Sequence, residues 1–231
     1  LDLLTIHGIT IPLSQDEVSP IIWQSLTCGS YEAKEAKWVC KAVRPHDRVL
    51  ELGTGLGVIT SLIAKVPDVQ VWSFEANPST ATLARRVIDA NDLGNVVLIP
   101  GLLAAGEPRT SSFYVREDLW MSSMDKNQGP YQREISLTSA NIDEFISDHS
   151  INVLVMDIEG AEKDLLGRSE LLGIERVFLE LHDHLYGLSG IREIMQALAE
   201  KGFAYDPRGS YGACVLFAKE HGLRAYEPEV F

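Results

Sequence analysis

The sequence predicts an α/β domain on a doubly wound, mostly parallel sheet, a Rossmann-like architecture with an N-terminal extension and an inserted loop or hairpin. Three observations lead there. Strand-like apolar runs alternate with helical stretches through short connections between Arg48 and Lys219. The first of them, Val49-Leu50-Glu51-Leu52, passes directly into the glycine turn Gly53-Thr54-Gly55-Leu56-Gly57, with helical spacing after it. Two later strand-like runs end in acids, at Glu75 and at Asp157.

In chain order, Thr5 to Leu13 sets Ile6, Ile9 and Ile11 around Gly8 and ends at Pro12, which predicts a short hairpin or edge strand serving as an accessory lid. Ile21 to Cys28 and Glu32 to Val43 read as helices, the second with Ala33, Ala36, Val39, Cys40 and Val43 on one face, and Pro45-His46-Asp47 breaks the chain after it. Strands are expected near Arg48 to Leu52, Gln70 to Glu75, Val96 to Pro100, Val153 to Asp157, Arg176 to Leu181 and Gly212 to Lys219. Helices are expected near Val58 to Val66, Pro78 to Asn91, Ile142 to His149, Lys163 to Arg168 and Gly190 to Lys201. Between Gly101 and Leu137 the alternation lapses, and an insertion over the site is expected there. Ligands of such sheets bind where strand order reverses, which gathers Glu51 to Gly57, Glu75, Gly101, Asp157 to Gly160 and Glu180 to His184 at one mouth.

A chain of 231 residues suits one such domain, taken as 31–231, with 1–30 as an accessory segment. A net charge of -13 and no basic run argue against a nucleic-acid partner, since phosphate backbones are held by Lys and Arg. Cys28, Cys40 and Cys214 stand apart and in no C-x-x-C arrangement, which fits free thiols in a reducing compartment. No run nears the ~20 apolar residues that span a bilayer. The expectation is a cytoplasmic protein without a membrane partner, and the apolar first thirty residues offer a surface for a homodimer.

The glycine turn discriminates between nucleotide classes. Dinucleotide sites place glycines first, third and sixth; counted from Gly53, the sixth residue is Val58 and Gly57 is fifth. That disfavours a nicotinamide cofactor. An acid before the first glycine, Glu51, and another closing the next strand, Glu75, suit S-adenosylmethionine, because a strand-end carboxylate can accept both ribose hydroxyls. A glycine turn by itself also caps ordinary helices.

Val49 to Gly57, Phe74-Glu75-Ala76-Asn77-Pro78, the run Met156-Asp157-Ile158-Glu159-Gly160-Ala161-Glu162 and the late Glu180-Leu181-His182 together resemble the FkbM-type S-adenosylmethionine-dependent methyltransferases. The resemblance covers most of Tyr31 to Lys219, and the Met156 to Glu162 run is its most specific part. It implies a class I methyltransferase fold with Glu51, Gly53 and Gly55 along the methionine end of the cofactor, Thr54 among them, Glu75 at the ribose, and Ala76 and Asn77 toward the adenine. It implies Asp157 and Glu159 near the transferred methyl or the substrate. Tyr31-Glu32 resembles the segment that folds over the cofactor in many methyltransferases, although a helix start explains the same pair.

Methyl transfer is an in-line displacement, so the protein must chiefly align the acceptor and exclude water. A hydroxyl acceptor also needs a base, and the candidates are His182, Asp157 and Glu159, with Asp157 or Glu180 orienting His182. The alternative is a divalent cation on Asp157, Glu159, Glu180, His182 and Asp183, which no spacing fixes and which is not expected. Trp120, Ser122, Ser123 and Met124 are the expected substrate-facing residues. Arg208 and Tyr211 fit either a clamp for an anionic group or a plain turn. The expected activity is O-methylation of a hydroxyl or carboxyl on a small metabolite or saccharide. N- or C-methylation, a degenerate cofactor-binding module and a nicotinamide oxidoreductase are the alternatives.

Overall fold

A computed structural model describes residues 2–118 and 121–220. The chain opens with a hairpin, β1 (Asp2–Ile6) and β2 (Ile9–Leu13), then α1 (Pro20–Cys28) and α2 (Ala33–Ala42). The core follows as β3 (Arg48–Leu52), α3 (Val58–Ala64), β4 (Gln70–Glu75), α4 (Pro78–Ala90) and β5 (Val96–Pro100). The insertion holds β6 (Leu103–Ala104), β7 (Thr110–Val115), β8 (Arg133–Thr138) and β9 (Ala140–Asn141). The second half runs α5 (Ile142–His149), β10 (Val153–Met156), α6 (Glu162–Arg168), β11 (Arg176–Glu180), α7 (Asp183–Glu200), β12 (Ala204–Tyr211) and β13 (Cys214–Ala218).

Seven strands form the central sheet in the order β12-β13-β11-β10-β3-β4-β5. All pairs from β11 to β5 are parallel, while β13 lies antiparallel to both its neighbours. Strands buried on both faces need continuous apolar sequence, and every residue of β10 is buried. From β3 the chain winds outward through β4 and β5, then returns to the other side of β3 as β10 and β11. Strand order therefore reverses between β3 and β10, and the crevice opens beyond Leu52 and Met156, which face each other in register.

Local signals explain the element ends. Asn77 caps α4 by accepting the Ser79 amide, with Pro78 as the first helical residue. Asn141 caps α5 through the amides of Asp143 and Glu144. At the strand ends opposite the crevice, Arg176 and Asp47 form a buried two-bonded pair at 2.7 and 2.9 Å, with the guanidinium also donating to the Ala42 carbonyl. That pair anchors the floor of the sheet far from the mouth.

The N-terminal segment packs on the domain through its own apolar cluster. Ile9, Ile11 and Leu13 of β2 and Ile22 and Leu26 of α1 bury against Leu56, Val58 and Val87, each side chain contributing about 1.5–3 kcal/mol. Asn91 fixes the hairpin by bonding both the amide and the carbonyl of Thr10. The insertion is the expected hairpin, β7 against β8.

Two elements differ from expectation. The last long helix begins at Asp183 rather than Gly190 and is interrupted at Gly187, whose φ of 63° breaks the helical run. The segment expected as a turn around Asp206 to Gly212 is the strand β12. Its ladder is irregular between Asp206 and Tyr211, and there the Ser210 hydroxyl takes over, accepting the Leu216 amide and donating to the Asp206 carbonyl. Pro207 is tolerated because β12 is an edge strand. Among the described residues no helix is long and apolar enough to cross a membrane.

Candidate active site

The glycine turn after β3 is built around close approach. A Cβ on Gly53, whose φ is 91°, would stand 1.9 Å from the Asp157 carbonyl oxygen, so glycine is the residue that lets β3 and β10 end side by side. The amides of Gly53 and Thr54 both donate to the Phe74 carbonyl at 3.0 and 3.2 Å, pinning the turn to the end of β4. Glu75 accepts the Gly55 amide on one oxygen (3.0 Å) and the Asn77 amide on the other (2.8 Å). A Cβ on Gly55 would lie 3.1 Å from a Glu32 oxygen and 3.2 Å from the Tyr31 hydroxyl, so Tyr31 and Glu32 lie across the glycine turn.

These pieces border one cleft, whose empty space is about 930 Å³ with the open solvent at its mouth included. Of the residues expected at the site, Tyr31, Gly53, Gly55, Glu75, Ala76, Gly101, Ser122, Ser123, Asp157 and Glu159 line it. Trp120 lies outside the described residues. Glu51, Thr54, Asn77 and His182 do not line the cleft. Thr54 and Glu51 sit beneath the turn in a hydroxyl network: Thr60 and Ser73 both donate to one Glu51 oxygen, and Thr54 donates to Ser73. Glu51 borders a smaller adjoining pocket with Glu35 and Glu180. The Asn77 side chain is committed to capping α4.

Arg116, 3% exposed, organises the insertion. Its guanidinium donates to the carbonyls of Met121 (3.0 Å) and Asp125 (2.7 Å) and to the Ser123 hydroxyl (3.1 Å), while its amide donates to the Ser122 hydroxyl. The two serines expected to face substrate are thus held from behind. The Ser19 hydroxyl, at the start of α1, donates to Asp118 and ties the N-terminal segment to the same insertion.

Beyond β10 the chain turns through Asp157, Ile158, Glu159 and Gly160 into α6. Glu162, fully buried, fastens this turn by accepting the amides of Ile158 (3.1 Å) and Gly160 (3.0 Å). His182 reaches in from the end of β11. Its Nδ1 stands 3.2 Å from Glu162, and its Nε2 stands 3.3 Å from Asp157, 3.7 Å from Glu159 and 3.9 Å from Glu180. The Asp157 and Glu162 contacts are ion-pair distances without hydrogen-bond alignment. Burial alone would pull the imidazole down, but Asp157 and Glu162 outweigh it and hold His182 at about 11.

Of the three candidates for the base, Asp157 and Glu159 line the cleft and His182 stands outside its lining. Surrounded by four carboxylates and only 4% exposed, it stays a charged imidazolium that holds the acidic turn together, and it has no free lone pair to take a proton. Glu159 suits the base role better. Burial, reinforced by the Asp157 charge, lifts it to about 8, and it lines the cleft. Burial likewise lifts Glu51, Glu75 and Glu180 to about 7 and Glu32 well above its ordinary value. Glu32 (φ 48°) and Glu159 (φ 52°) are both presented from left-handed backbone, a conformation that costs a non-glycine residue about 1–3 kcal/mol and clusters at functional sites.

Among the described residues two groups of side chains are close enough to share a cation, Asp157 with Glu180 and His182, and Glu35 with Glu180 and Cys214, each with ligand atoms within 4.8 Å of one another. In the first, ligation would have to displace the proton that Glu162 and Asp157 hold on His182. Arg208 does not serve the cleft; it forks onto Asp206 at 2.8 and 2.7 Å, and Tyr211 stacks on Trp38. Neither residue of the two-way reading, clamp or plain turn, lines the cleft. Sequence reasoning missed Glu162 as the fastening of the acidic turn and Phe113, Leu102 and Leu103 as apolar walls. No spacing distinguishes Glu162 from an ordinary acid at a helix start.

The site fits a cationic nucleoside cofactor on two counts. Gly53 and Gly55 bring bare backbone to the cleft wall, and one oxygen each of Glu32 and Asp157, which line the same cleft, is buried without a hydrogen-bond donor. The comparisons agree. The family model for the methyltransferase FkbM domain matches residues 54–205. A protein-L-isoaspartate O-methyltransferase of Anaeromyxobacter dehalogenans (strain 2CP-C) is 44% identical over 69 residues, 29% of this chain and 32% of that protein. The fold resembles the precorrin-6y C5,15-methyltransferase of Geobacter metallireducens GS-15, with a TM-score of 0.52 at 10% identity over 90% of this chain and 98% of that one. It also resembles the wild-type Trm5b of Pyrococcus abyssi, with a TM-score of 0.50 at 15% identity over 94% of this chain and 53% of that one. The chain thus spans about a third of the curated relative and about half of Trm5b.

Proposed function

The chain belongs to the FkbM methyltransferase family and uses S-adenosylmethionine, and we propose that it methylates a hydroxyl on a small metabolite or saccharide. When bound, the cofactor supplies a methyl group on a cationic sulfur. Glu75 and the Gly53 to Gly55 backbone would hold its ribose and methionine portions, with Tyr31 and Glu32 covering it. Asp157 and Glu159 would face the transferred group.

The observation that carries the hydroxyl reading is Glu159, a carboxylate lining the cleft and lifted to about 8 by burial and by Asp157. A hydroxyl must lose its proton as the new oxygen–carbon bond forms, and a base poised near neutral pH contributes about 100-fold or more. Asp157 keeps Glu159 basic by repulsion, while the His182 imidazolium limits how far it rises. Phe113, Met124 and Ile158 give the cleft apolar lining, and the Ser122 hydroxyl, which only accepts the Arg116 amide, keeps its hydrogen for a polyol, whereas the Ser123 hydroxyl is engaged by Arg116, Asp125 and Gln128. A carboxylate acceptor is disfavoured by the same acids, which would repel it. The test is a screen of neutral sugars, polyols and matched carboxylates, read by S-adenosylhomocysteine release and by the mass of the product. Methyl esters in place of ethers would overturn the hydroxyl reading.

A further inference from the structure

The described residues lining the cleft include four carboxylates, Glu32, Glu75, Asp157 and Glu159, and no lysine, arginine or histidine. Glu75 is already held by the amides of Gly55 and Asn77. The other three are not so compensated. Glu32 and Asp157 each carry a buried oxygen without a hydrogen-bond donor, and Glu32 and Glu159 are held in left-handed backbone. Among the described residues the cation in ion-pair contact with Asp157 and Glu159 is His182, which does not line the cleft and is shared among four acids. Strained backbone and orphaned oxygens persist where a ligand repays them, and the matching ligand here is a positive charge.

Resting on the assignment of this cleft as the cofactor site, we propose that Glu32, Asp157 and Glu159 read the positive charge on the cofactor's sulfur, so that the protein holds S-adenosylmethionine more tightly than S-adenosylhomocysteine. Transfer moves the methyl carbon to the acceptor oxygen, leaves the carbon–sulfur electron pair on sulfur and passes the acceptor proton to Glu159. The sulfur is then uncharged, and the three acids lose the partner that offset their mutual repulsion. The spent cofactor is released rather than retained, and product inhibition is weak.

Calorimetric titration of the full chain with S-adenosylmethionine, S-adenosylhomocysteine and sinefungin, which carries an amine-bearing carbon in place of the sulfonium, tests this without any acceptor. Both cationic ligands are expected to bind about tenfold or more tighter than S-adenosylhomocysteine, as an added charge facing buried carboxylates requires. Asp157→Asn should bring the three affinities within about threefold by weakening only the cationic pair, with S-adenosylhomocysteine binding reporting the intact fold. Glu32→Gln provides the same reading if Asp157→Asn does not fold. S-adenosylhomocysteine binding as tightly as the cations overturns the inference and leaves the cofactor site standing. A preference unchanged in both variants overturns its assignment to these acids, and binding of none of the three ligands overturns the cofactor site as well.

Discussion

Gly53→Ala tests whether the crevice is built by close approach of two backbones. The new Cβ would stand 1.9 Å from the Asp157 carbonyl oxygen, a main-chain atom that cannot rotate away. Either the turn or the end of β10 must retreat by roughly 1 Å in a densely packed region. Overpacking of that kind costs about 1–3 kcal/mol, and placing alanine at φ 91° adds about 1–2 kcal/mol. The expected loss is roughly 2–5 kcal/mol, which at about 2–4 °C per kcal/mol lowers the melting temperature by roughly 4–20 °C. Cofactor affinity falls with it, because the displaced group is Asp157. Gly55→Ala is the matched control. It pays the same backbone penalty but meets only the tips of Glu32 and Tyr31, at 3.1 and 3.2 Å, which can swing aside. Thermal unfolding and S-adenosylmethionine titration of both variants check the reasoning. Melting temperatures within about 2 °C of each other would refute it, since backbone strain alone would then explain both.

Three further outcomes are expected. With Glu159 as the base and held at about 8, kcat/KM should rise with pH and level off above that value, and Glu159→Gln should lower kcat by about 100-fold while S-adenosylhomocysteine binding persists; a flat profile from pH 6 to 9 removes Glu159 from the role. His182→Asn leaves Glu162 buried without its cation, a change of about 3–5 kcal/mol for a broken buried pair, and it shifts the rising limb of the pH profile upward because a charge that favoured ionised Glu159 is gone; an unchanged melting temperature and limb would show that His182 is neutral. Glu51, Glu75 and Glu180 are lifted from 4.5 to about 7, so the folded ligand-free protein binds more protons than the unfolded chain between those values, and its stability falls as pH rises through them. His182, raised from 6.5 to about 11, adds stability that is complete below 6.5 and lost toward 11, the same direction. Melting temperatures that climb from pH 5 to 8 would contradict both.

What the sequence reveals of this site follows from what can be encoded locally. Largely apolar runs reaching Gly53, Glu75 and Asp157 announce which strand ends meet, because parallel strands buried on both faces are mostly apolar, and the interior exceptions, Glu51 and Ser73, are bonded to each other. Strand β12 is misread for the converse reason: Pro207 and Gly209 carry turn chemistry, and across the gap between the paired Asp206 and Tyr211 the Ser210 hydroxyl reaches the Leu216 amide of β13. The role of His182 is harder still. Its residue type suggests a base, yet its protonation is decided by neighbours from two elements. The parallel register that sets Met156 opposite Leu179 carries the acidic turn past the end of β11, and Glu162 then returns beneath the imidazole. Shifting that turn by a few ångströms would leave the same sequence motif with a neutral histidine and an ordinary glutamate. Residue type and strand position therefore select the candidates, while the spacing of charges in the folded chain ranks them, and it favours the proposal of Glu159 over His182 as the base.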